Sequence, residues 1–349
     1  MARIVVAGAG AVGASVAYHL ALLGADDVVL ADREHVAAGA TSKGMGGVRQ
    51  QFSTEAEVRL AQASIEFFAS LGPDVFLQVG YLFVATTGDG LAQLDERRQL
   101  QAAIGVPVVR VDASFVQGLR TDDLGGAVFC ATDGVGSPVA FAQELVRRAV
   151  GLGVELREET AAEELDADTL VIACGAHSAE LGAKVGIELP VRPLCRQLLL
   201  TSPLELPPDL PMTVEAETGF HFRRRGDRLV LAMHDAEPRW TDEPWVDESV
   251  FPDRVERLAH RYPPAGGAQI DDAWAGLYDM TPDAHPIVGR VGEGVYAACG
   301  FSGHGFMQSP AVGRALAQEI LLGRSDLDLA PYALGRFAGG TSFPETLVL

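Results

Sequence analysis

A glycine-rich segment near the N-terminus has residue types and a spacing that suit the binding of a nucleotide phosphate. It follows the pattern GxGxxG and consists of Gly8, Ala9, Gly10, Ala11, Val12 and Gly13. In this pattern the first glycine permits a tight turn, the second lets the backbone approach a pyrophosphate, and the third packs a helix against a strand. Asp32 ends the next apolar run, where its carboxylate can accept hydrogen bonds from ribose hydroxyls. Together these residues predict a dinucleotide site without deciding between NAD and FAD.

The elements that position these residues can be predicted from the same part of the chain. The run RIVV predicts a buried strand before the glycines, and DVVLAD predicts a second strand that ends at Asp32. Between them, apolar residues recur at helical spacing until Gly24 ends the helix: Val12, Val16, Leu20 and Leu23. Residues 4–25 carry no charge, yet their glycines argue against a signal peptide or a membrane span.

The composition limits the function classes. The chain has 349 residues and a net charge of -20, and its lysines are Lys43 and Lys184. Binding to nucleic acid or to an anionic membrane needs clustered basic residues, so we expect neither, and we expect a cytoplasmic protein. The cysteines form no CxxC pair and have no histidine at metal-ligand spacing, which predicts buried free thiols, no disulfide and no metal site: Cys130, Cys174, Cys195 and Cys299.

The segment after Asp32 predicts a loop of small residues followed by a helix. Short side chains allow the loop to lie against a flat ring. The helix is predicted to begin at Thr54, with Glu57 three residues later as in a capping box. Its buried face is predicted from residues at helical spacing: Val58, Ala61, Ile65 and Phe68.

At this loop the chain resembles the D-amino-acid oxidase and sarcosine oxidase superfamily of FAD enzymes, whose members follow the acidic ribose ligand with a GATS-like loop. Here that loop is Gly39, Ala40, Thr41 and Ser42. The stretch GVRQQF is similar to the branch of proline dehydrogenase and the sarcosine oxidase beta subunit. Three later stretches match the superfamily in the same order: TLVIACGAHSAEL, GLYDMTPDAHPIVG and GFSGHGFMQSPAVG.

The resemblance covers nearly the whole chain and implies an α/β fold. We expect a Rossmann-like FAD-binding domain interleaved with an α+β substrate domain built on a mostly antiparallel sheet. Residues 1–78, 135–200 and 276–349 are predicted to form the FAD-binding domain. Residues 79–134 and 201–275 are predicted to form the substrate domain.

The resemblance also implies the cofactor and its contacts. We expect one noncovalent FAD, because Gly276 stands where monomeric sarcosine oxidases attach flavin to a cysteine. The predicted contacts are Gly8, Gly10, Ala11, Val12, Gly13, Asp32, Arg33, Ala40, Thr41, Ser42, Gly47, Ala173, Gly175, Gly276, Gly300, Gly303, His304, Gly305, Phe306 and Met307.

The junction at residues 300–310 has a physical reason to be rich in glycine. Gly303 and Gly305 let the backbone reach the flavin ring, and a helix N-terminus aimed at N1 and the C2 carbonyl stabilises negative charge there. His304 either supplies a hydrogen bond or charge to the ring or satisfies its neighbours in the loop. Ser309 and Pro310 also suit an N-cap and a first helical residue, so the sequence allows two starting points for this helix, about one turn apart.

The implied chemistry is oxidation of the C-N bond of a secondary, cyclic or N-methylated amino acid to an imine, by hydride transfer to flavin N5. Arg49 is the candidate for binding the substrate carboxylate, because a guanidinium pairs with a carboxylate through two hydrogen bonds. A structural salt bridge is the alternative role for Arg49.

A predicted hairpin at residues 219–235 supplies two further candidates. His234 matches an active-site histidine of monomeric sarcosine oxidases, and His221 matches a substrate-facing tyrosine of other relatives. Tyr278 is a candidate for lining the pocket. Both histidines have a structural role as their alternative, since a single histidine on a strand is often structural.

Two departures from the superfamily pattern bear on the reaction. Met307 replaces a lysine that binds the carboxylate, which favours a larger or less anionic substrate than sarcosine. Val230 replaces the lysine that promotes oxygen reduction, which favours a dehydrogenase over an oxidase. We expect the electron acceptor to be O2, a quinone or a partner protein. The alternatives are a primary amino-acid oxidase of the same superfamily, and a flavoprotein subunit or assembly factor without turnover of its own.

Overall fold

The chain folds into sheets covered by helices, as a computed structural model of residues 2–339, 344–345 and 348 describes. The helices are Ala11–Leu22 (α1), Ala40–Lys43 (α2), Glu55–Ser70 (α3), Gly88–Ala103 (α4), Pro138–Gly151 (α5), Ser178–Lys184 (α6), Phe251–Arg261 (α7) and Gly305–Leu322 (α8). The strands before residue 140 are Ile4–Ala7 (β1), Val28–Ala31 (β2), Gly47–Val48 (β3), Phe76–Leu77 (β4), Tyr81–Ala85 (β5), Val108–Val111 (β6), Gly126–Cys130 (β7) and Gly134–Gly136 (β8). The later strands are Glu155–Arg157 (β9), Thr169–Ile172 (β10), Arg192–Thr201 (β11), Met212–Glu215 (β12), His221–Arg225 (β13), Arg228–Ala232 (β14), Arg239–Trp240 (β15), Ile270–Met280 (β16), Ile287–Gly292 (β17) and Val295–Cys299 (β18).

Sheet A has the strand order β17-β18-β10-β1-β2-β9. Its strands are parallel except for the β17–β18 pair. The predicted strand, turn, helix and strand are confirmed as β1, α1 and β2. Helix α1 packs against α5 and α8, and the contact with α8 is close because a Cβ on Gly313 would overlap the Ser15 hydroxyl. Because the strands are parallel, the chain leaves β1, β2, β10 and β18 at the same edge of the sheet, where open α/β sheets bind ligands.

Sheet C has the order β15-β11-β14-β13-β12-β5-β7-β6, and β16 also pairs with β11. All its pairs are antiparallel except β5 with β12. The predicted mostly antiparallel sheet and the α/β fold class are therefore confirmed. A short sheet B, β3-β8-β4, joins the segment after the small-residue loop to the rest of the fold.

The strand pairing can be compared with the predicted domain boundaries at residues 200 and 276. Strands β11 and β16 pair along nearly their whole length in sheet C. The predicted boundaries at residues 200 and 276 place β11 and the end of β16 with the FAD-binding domain. The division into domains stays a prediction, and its last range, 276–349, extends beyond the residues that the structure describes.

Local signals explain where several elements begin. The Thr54 side chain accepts a hydrogen bond from the Glu57 N–H, as predicted for the start of α3. Helix α8 begins at Gly305 and continues through Pro310, which has no N–H to donate. The Ser309 hydroxyl donates to the Phe306 carbonyl at 2.7 Å and satisfies the acceptor that Pro310 leaves. The predicted hairpin is confirmed as β13 and β14, with Gly226 at a φ of 66° in its turn.

Within the described residues, no helix combines the length and apolar character that crossing a membrane requires. The cysteines Cys130, Cys195 and Cys299 are buried, Cys174 is partly buried, and all have free thiols. In the same residues, no group of three or more His, Cys, Asp or Glu side chains is arranged to hold a metal ion.

Candidate active site

The glycine segment forms a tight turn that has no room for a Cβ atom at Gly8 or Gly13. Gly8 follows β1 with a φ of 104°, in the left-handed region that favours glycine. A Cβ on Gly8 would overlap the Ala173 carbonyl oxygen, and a Cβ on Gly13 would overlap the Gly8 carbonyl oxygen. Helix α1 begins directly after Gly10, so its first N–H groups are presented at this turn. The turn therefore has the backbone approach and the helix N-terminus that a pyrophosphate needs.

Asp32 connects the end of β2 to this turn. Its Oδ2 accepts the Ala9 N–H at 2.6 Å, and its Oδ1 accepts the Glu34 N–H at 2.9 Å. An ionised carboxylate has about four acceptor sites, so it can still bind ribose hydroxyls. The loop of small residues is attached nearby, since the Ala11 N–H donates to the Thr41 hydroxyl at 3.0 Å.

A cavity of about 750 Å³ extends from this turn to sheet C. We call its wall at Gly8, Gly10, Ala11, Asp32 and Ala173 the nucleotide end, and its wall at Arg49, Tyr81, Arg196, Met212, His221 and Tyr278 the substrate end. Among the described residues, every predicted FAD contact lines the cavity except Gly13, Ser42 and Gly300. Of the predicted substrate residues, Arg49, His221 and Tyr278 line it, whereas His234 does not in the part of the chain described.

The N-terminus of α8 forms part of the wall between the two ends. Gly303 and Gly305 line the cavity, and Gly303 has a φ of 94°. A Cβ on Gly303 would overlap the ring of Tyr278, so this glycine permits the close approach of the loop to β16. Asp279, which the sequence analysis missed, accepts the Gly300 N–H at 2.7 Å. Burial raises the pKa of Asp279 to about 6.

Arg49 is buried at the substrate end, with 1% of its surface exposed. The centre of its guanidinium lies 4.0 Å from the centroid of the Phe52 ring. Its Nη1 donates to the Gln51 carbonyl, and its Nη2 donates to His304 Nε2 at 3.3 Å. Because a guanidinium only donates, Nε2 of His304 acts as the acceptor, and this contact requires a neutral imidazole.

A buried carboxyl group that the sequence analysis missed holds the loop of Arg49. Asp133 Oδ1 accepts the Gln50 N–H at 3.0 Å and the Gln50 side-chain amide at 2.9 Å. Its Oδ2 accepts the Gln51 side-chain amide at 3.1 Å. Burial raises the pKa of Asp133 to about 6, because the charged form has lost its water. Asp133 thereby holds the Gln50 N–H and the side chains of Gln50 and Gln51, directly after Arg49.

The two histidines of the hairpin have different surroundings. His221 is buried on β13, and its Nδ1–H donates to the Gly219 carbonyl at 2.8 Å, which leaves Nε2 as an acceptor. Burial lowers the pKa of His221 to about 4. His234 follows the end of β14 at Ala232 and lies against Gly219, where an added Cβ would be 3.2 Å from its Nδ1. The role predicted for His234 stays a prediction.

Arg196 is a second cation at the substrate end that the sequence analysis missed. It lies on β11, directly opposite Gly276 of β16, and lines the cavity. Its guanidinium centre is 5.8 Å from the centroid of the Tyr278 ring. The sequence signal was an arginine in the interior of a largely apolar strand, and it gave no partner.

The comparison with protein families decides the class of this site. The family model for FAD dependent oxidoreductases matches residues 3–319. The chain belongs to this family. Its relatives include mouse sarcosine dehydrogenase, a mitochondrial protein, which is 25% identical over 96% of this chain but only 41% of its own length. This chain thus spans about two fifths of that protein. Glycine oxidase of Geobacillus kaustophilus is 27% identical over 96% of this chain and 97% of its own.

Solved structures of the family agree with the fold. L-proline dehydrogenase from P. horikoshii superimposes with a TM-score of 0.90 at 25% identity, covering 98% of this chain and 99% of its own. The predicted superfamily and the predicted FAD are therefore confirmed. The residues at the site also fit FAD. The glycine turn, which lacks side chains, lets the backbone approach a pyrophosphate, and the Asp32 carboxylate can accept hydrogen bonds from ribose hydroxyls.

Proposed function

We propose that the chain oxidises the C–N bond of a secondary, cyclic or N-methylated amino acid to an imine. One observation carries this proposal: a buried guanidinium, Arg49, lines the same cavity as the dinucleotide turn. The names of two similar proteins refer to an N-methylated and a cyclic amino acid, sarcosine and proline. FAD, when bound, would accept the hydride equivalent at its N5.

Arg49 would bind the substrate carboxylate and so orient the carbon that loses the hydride. A guanidinium has five N–H groups in a planar fork, and two of its nitrogens here donate to Gln51 and His304. Packing on the Phe52 ring fixes its plane, which favours a two-bond contact over a point charge. Asp133 would act as a positioning residue, since it contacts Gln50 and Gln51 rather than the cavity.

His221 would contact the substrate amine. Its lowered pKa keeps the imidazole neutral at pH 7, and its Nδ1–H is committed to Gly219. Nε2 can therefore accept the hydrogen of an amine N–H. A neutral acceptor adds no positive charge beside an amine that must lose its proton before the C–H bond breaks. The apolar side chains of Met212 and Met307 would help to exclude water from this end.

We further propose that FAD is noncovalent and that the enzyme is a dehydrogenase. Gly276 offers no sulfur, and a Cβ there would lie 2.6 Å from the Lys43 side chain. Val230 is buried in an apolar cluster with Leu198 and Ala232, so this position supplies no cation for oxygen reduction. Acid precipitation tests the first point. We expect the yellow colour in the supernatant, and colour that stays with the pellet would contradict it.

An anaerobic screen tests the proposed reaction. The holoprotein is mixed with matched secondary and primary amines, such as sarcosine with glycine and N-methyl-L-alanine with L-alanine, and with L-proline, and the flavin absorbance is followed. We expect faster bleaching with the secondary amines. Faster bleaching with primary amines would favour a primary amino-acid oxidase. No bleaching by any amine, in protein that dithionite still reduces, would favour a flavoprotein without turnover of its own.

A further inference from the structure

Arg196 presents a buried donor at the substrate end with no partner. Its Nε is buried and has no hydrogen-bond partner among the residues that the structure describes. The carboxylate of Asp235 acts on Arg196 through its charge, but it already accepts a hydrogen bond from Arg239 Nε at 2.9 Å. Burial lowers the pKa of Arg196, as expected for a cation that has lost water. A buried N–H without an acceptor costs free energy, and an anion placed against it would recover that cost.

The surroundings of Arg196 place it beside the same residues as Arg49. The ring of Tyr278 lies 5.8 Å from the Arg196 guanidinium. Burial is the main cause of the lowered pKa of His221, and the positive charges of Arg49 and Arg196 both add to it. Burial raises the pKa of Tyr278, and the same two charges oppose that rise. The substrate end thus contains two guanidinium groups around one space.

We propose that Arg196 binds a second anionic group of the substrate, so that the site takes amino acids that carry a second carboxylate. This inference rests on the proposed function, in which Arg49 binds the first carboxylate. A substrate with one carboxylate would leave the buried Nε–H of Arg196 without an acceptor. Monomeric sarcosine oxidases have a cationic lysine at the position of Met307. In this chain Arg196 on β11 would supply a cation from another wall of the cavity.

Binding of unreactive acids to the holoprotein tests the inference without turnover. The probes are malonate, succinate, glutarate and adipate, each compared by isothermal titration calorimetry with the monocarboxylate of the same chain length. The variants are Arg196→Gln, which removes the charge, and Arg196→Lys, which retains it. Arg192→Gln is the matched control, because Arg192 lies on the same strand but is exposed against the Trp240 ring. The flavin absorbance spectrum and the affinity for FAD are measured for every variant.

We expect at least one dicarboxylate to bind the wild-type protein about ten-fold or more tighter than its monocarboxylate, as for a charge-assisted hydrogen bond. The ratio should fall to about one in Arg196→Gln, persist in part in Arg196→Lys and remain in Arg192→Gln. A wild-type ratio near one, or a ratio unchanged in Arg196→Gln, would overturn the inference. So would a loss of FAD affinity in Arg196→Gln with the ratio unchanged, because Arg196 would then contact the cofactor instead.

The same preparations separate this inference from the proposed function. N-methyl-L-aspartate and N-methyl-L-glutamate are compared with N-methyl-L-alanine in the anaerobic assay. If no amine bleaches the flavin while the dicarboxylate ratio depends on Arg196, the proposed function fails and the second anion site stands. If N-methyl-L-alanine bleaches the flavin as well as the acidic amines do, and the ratio is one, the function stands and the second anion site fails.

Discussion

The two ends of the cavity are built in different ways. The nucleotide end is made mainly of backbone and small residues, with the carboxylate of Asp32, from short segments that follow β1, β2 and β10 at one edge of sheet A. The substrate end is made of side chains from distant segments, with Arg49 after β3, Arg196 on β11, His221 on β13 and Tyr278 on β16. The difference indicates that an added side-chain atom at the nucleotide end prevents FAD binding, whereas loss of a charge or donor at the substrate end weakens substrate binding.

The largest effect is expected at the nucleotide end, from Gly13→Ala. The new Cβ would overlap the Gly8 carbonyl oxygen, and the backbone of the turn cannot move without separating α1 from β1. We expect protein that retains no FAD after gel filtration. Gly151→Ala is the control, since a Cβ at Gly151 meets no atom within 4 Å, and it should retain FAD as the wild type does. Normal FAD content in Gly13→Ala would contradict the separation of the two ends.

Removal of the carboxylate contact should have the next largest effect. Arg49→Ala is expected to weaken amino-acid binding by about 2 to 5 kcal/mol, because it removes one partner of a buried charged pair. FAD should remain bound, since Arg49 lies at the substrate end. Arg49→Lys should recover only part of the loss, because an ammonium cannot form the two-bond contact. Equal substrate affinity in Arg49→Ala and wild type, measured by anaerobic flavin titration, would reject the assignment.

The reaction of the reduced protein with oxygen should change by a smaller factor. Val230→Lys would introduce a lysine into the cluster that contains Leu198, which lines the cavity, and a nearby cation stabilises the negative charge formed when O2 is reduced. We expect slow reoxidation by air in the wild type and reoxidation about ten-fold faster in the lysine variant. Val230→Met is the control for size. Stopped-flow mixing of reduced protein with O2 gives both rates.

Two outcomes of that experiment would change the interpretation. Rapid, pH-independent reoxidation of the wild type would refute a dehydrogenase. Reoxidation that accelerates as the pH falls would instead indicate a protonated histidine as the cation. His304 accepts a hydrogen bond from Arg49, so His234 would then be the better candidate.

Asp133→Asn is expected to act on neither cofactor nor substrate binding directly, and to change the pH dependence of stability. The pKa of Asp133 is raised from 3.8 to about 6 in the folded protein, so its contribution to stability is complete below about 4 and is lost as the pH rises through about 6. Asparagine does not titrate. Relative to the wild type, the variant should gain about 3 kcal/mol between pH 4 and pH 8, at 1.36 kcal/mol for each pKa unit.

Denaturant unfolding of both proteins over this pH range gives the difference in unfolding free energy. A constant offset is also expected, because the asparagine NH2 would face the Gln51 amide, which donates to Oδ2 in the wild type. The offset does not affect the slope with pH. An identical pH dependence in both proteins would show that Asp133 does not titrate in this range.

The same difference between the ends explains what the sequence could predict. The glycine turn, Asp32 and the start of α3 were predictable, because each depends on neighbours within a few residues or on a fixed spacing. Asp133 and Arg196 were not, because their partners come from other segments: Gln50 and Gln51 for Asp133, and the ring of Tyr278 for Arg196.

Two local sequence patterns were compatible with more than one structure. Ser309 and Pro310 suit a helix start, yet α8 begins at Gly305 because the Ser309 hydroxyl satisfies the carbonyl that Pro310 leaves. Glu57 suits a capping box, but its carboxylate instead binds His285 Nδ1 at 2.7 Å in the core. In both cases a side-chain contact outside the local pattern decides the structure.

The most direct test of the proposed site compares an amino acid with its methyl ester in wild type and Arg49→Ala. Anaerobic stopped-flow gives the second-order rate of flavin bleaching for the four combinations. We expect the ester to react at least about 30-fold more slowly than the amino acid in wild type, which corresponds to about 2 kcal/mol. In Arg49→Ala the two should react at nearly equal rates, because the partner of the carboxylate is gone. The same ratio of amino acid to ester in both proteins would contradict the proposal that Arg49 binds the carboxylate of an amino-acid substrate.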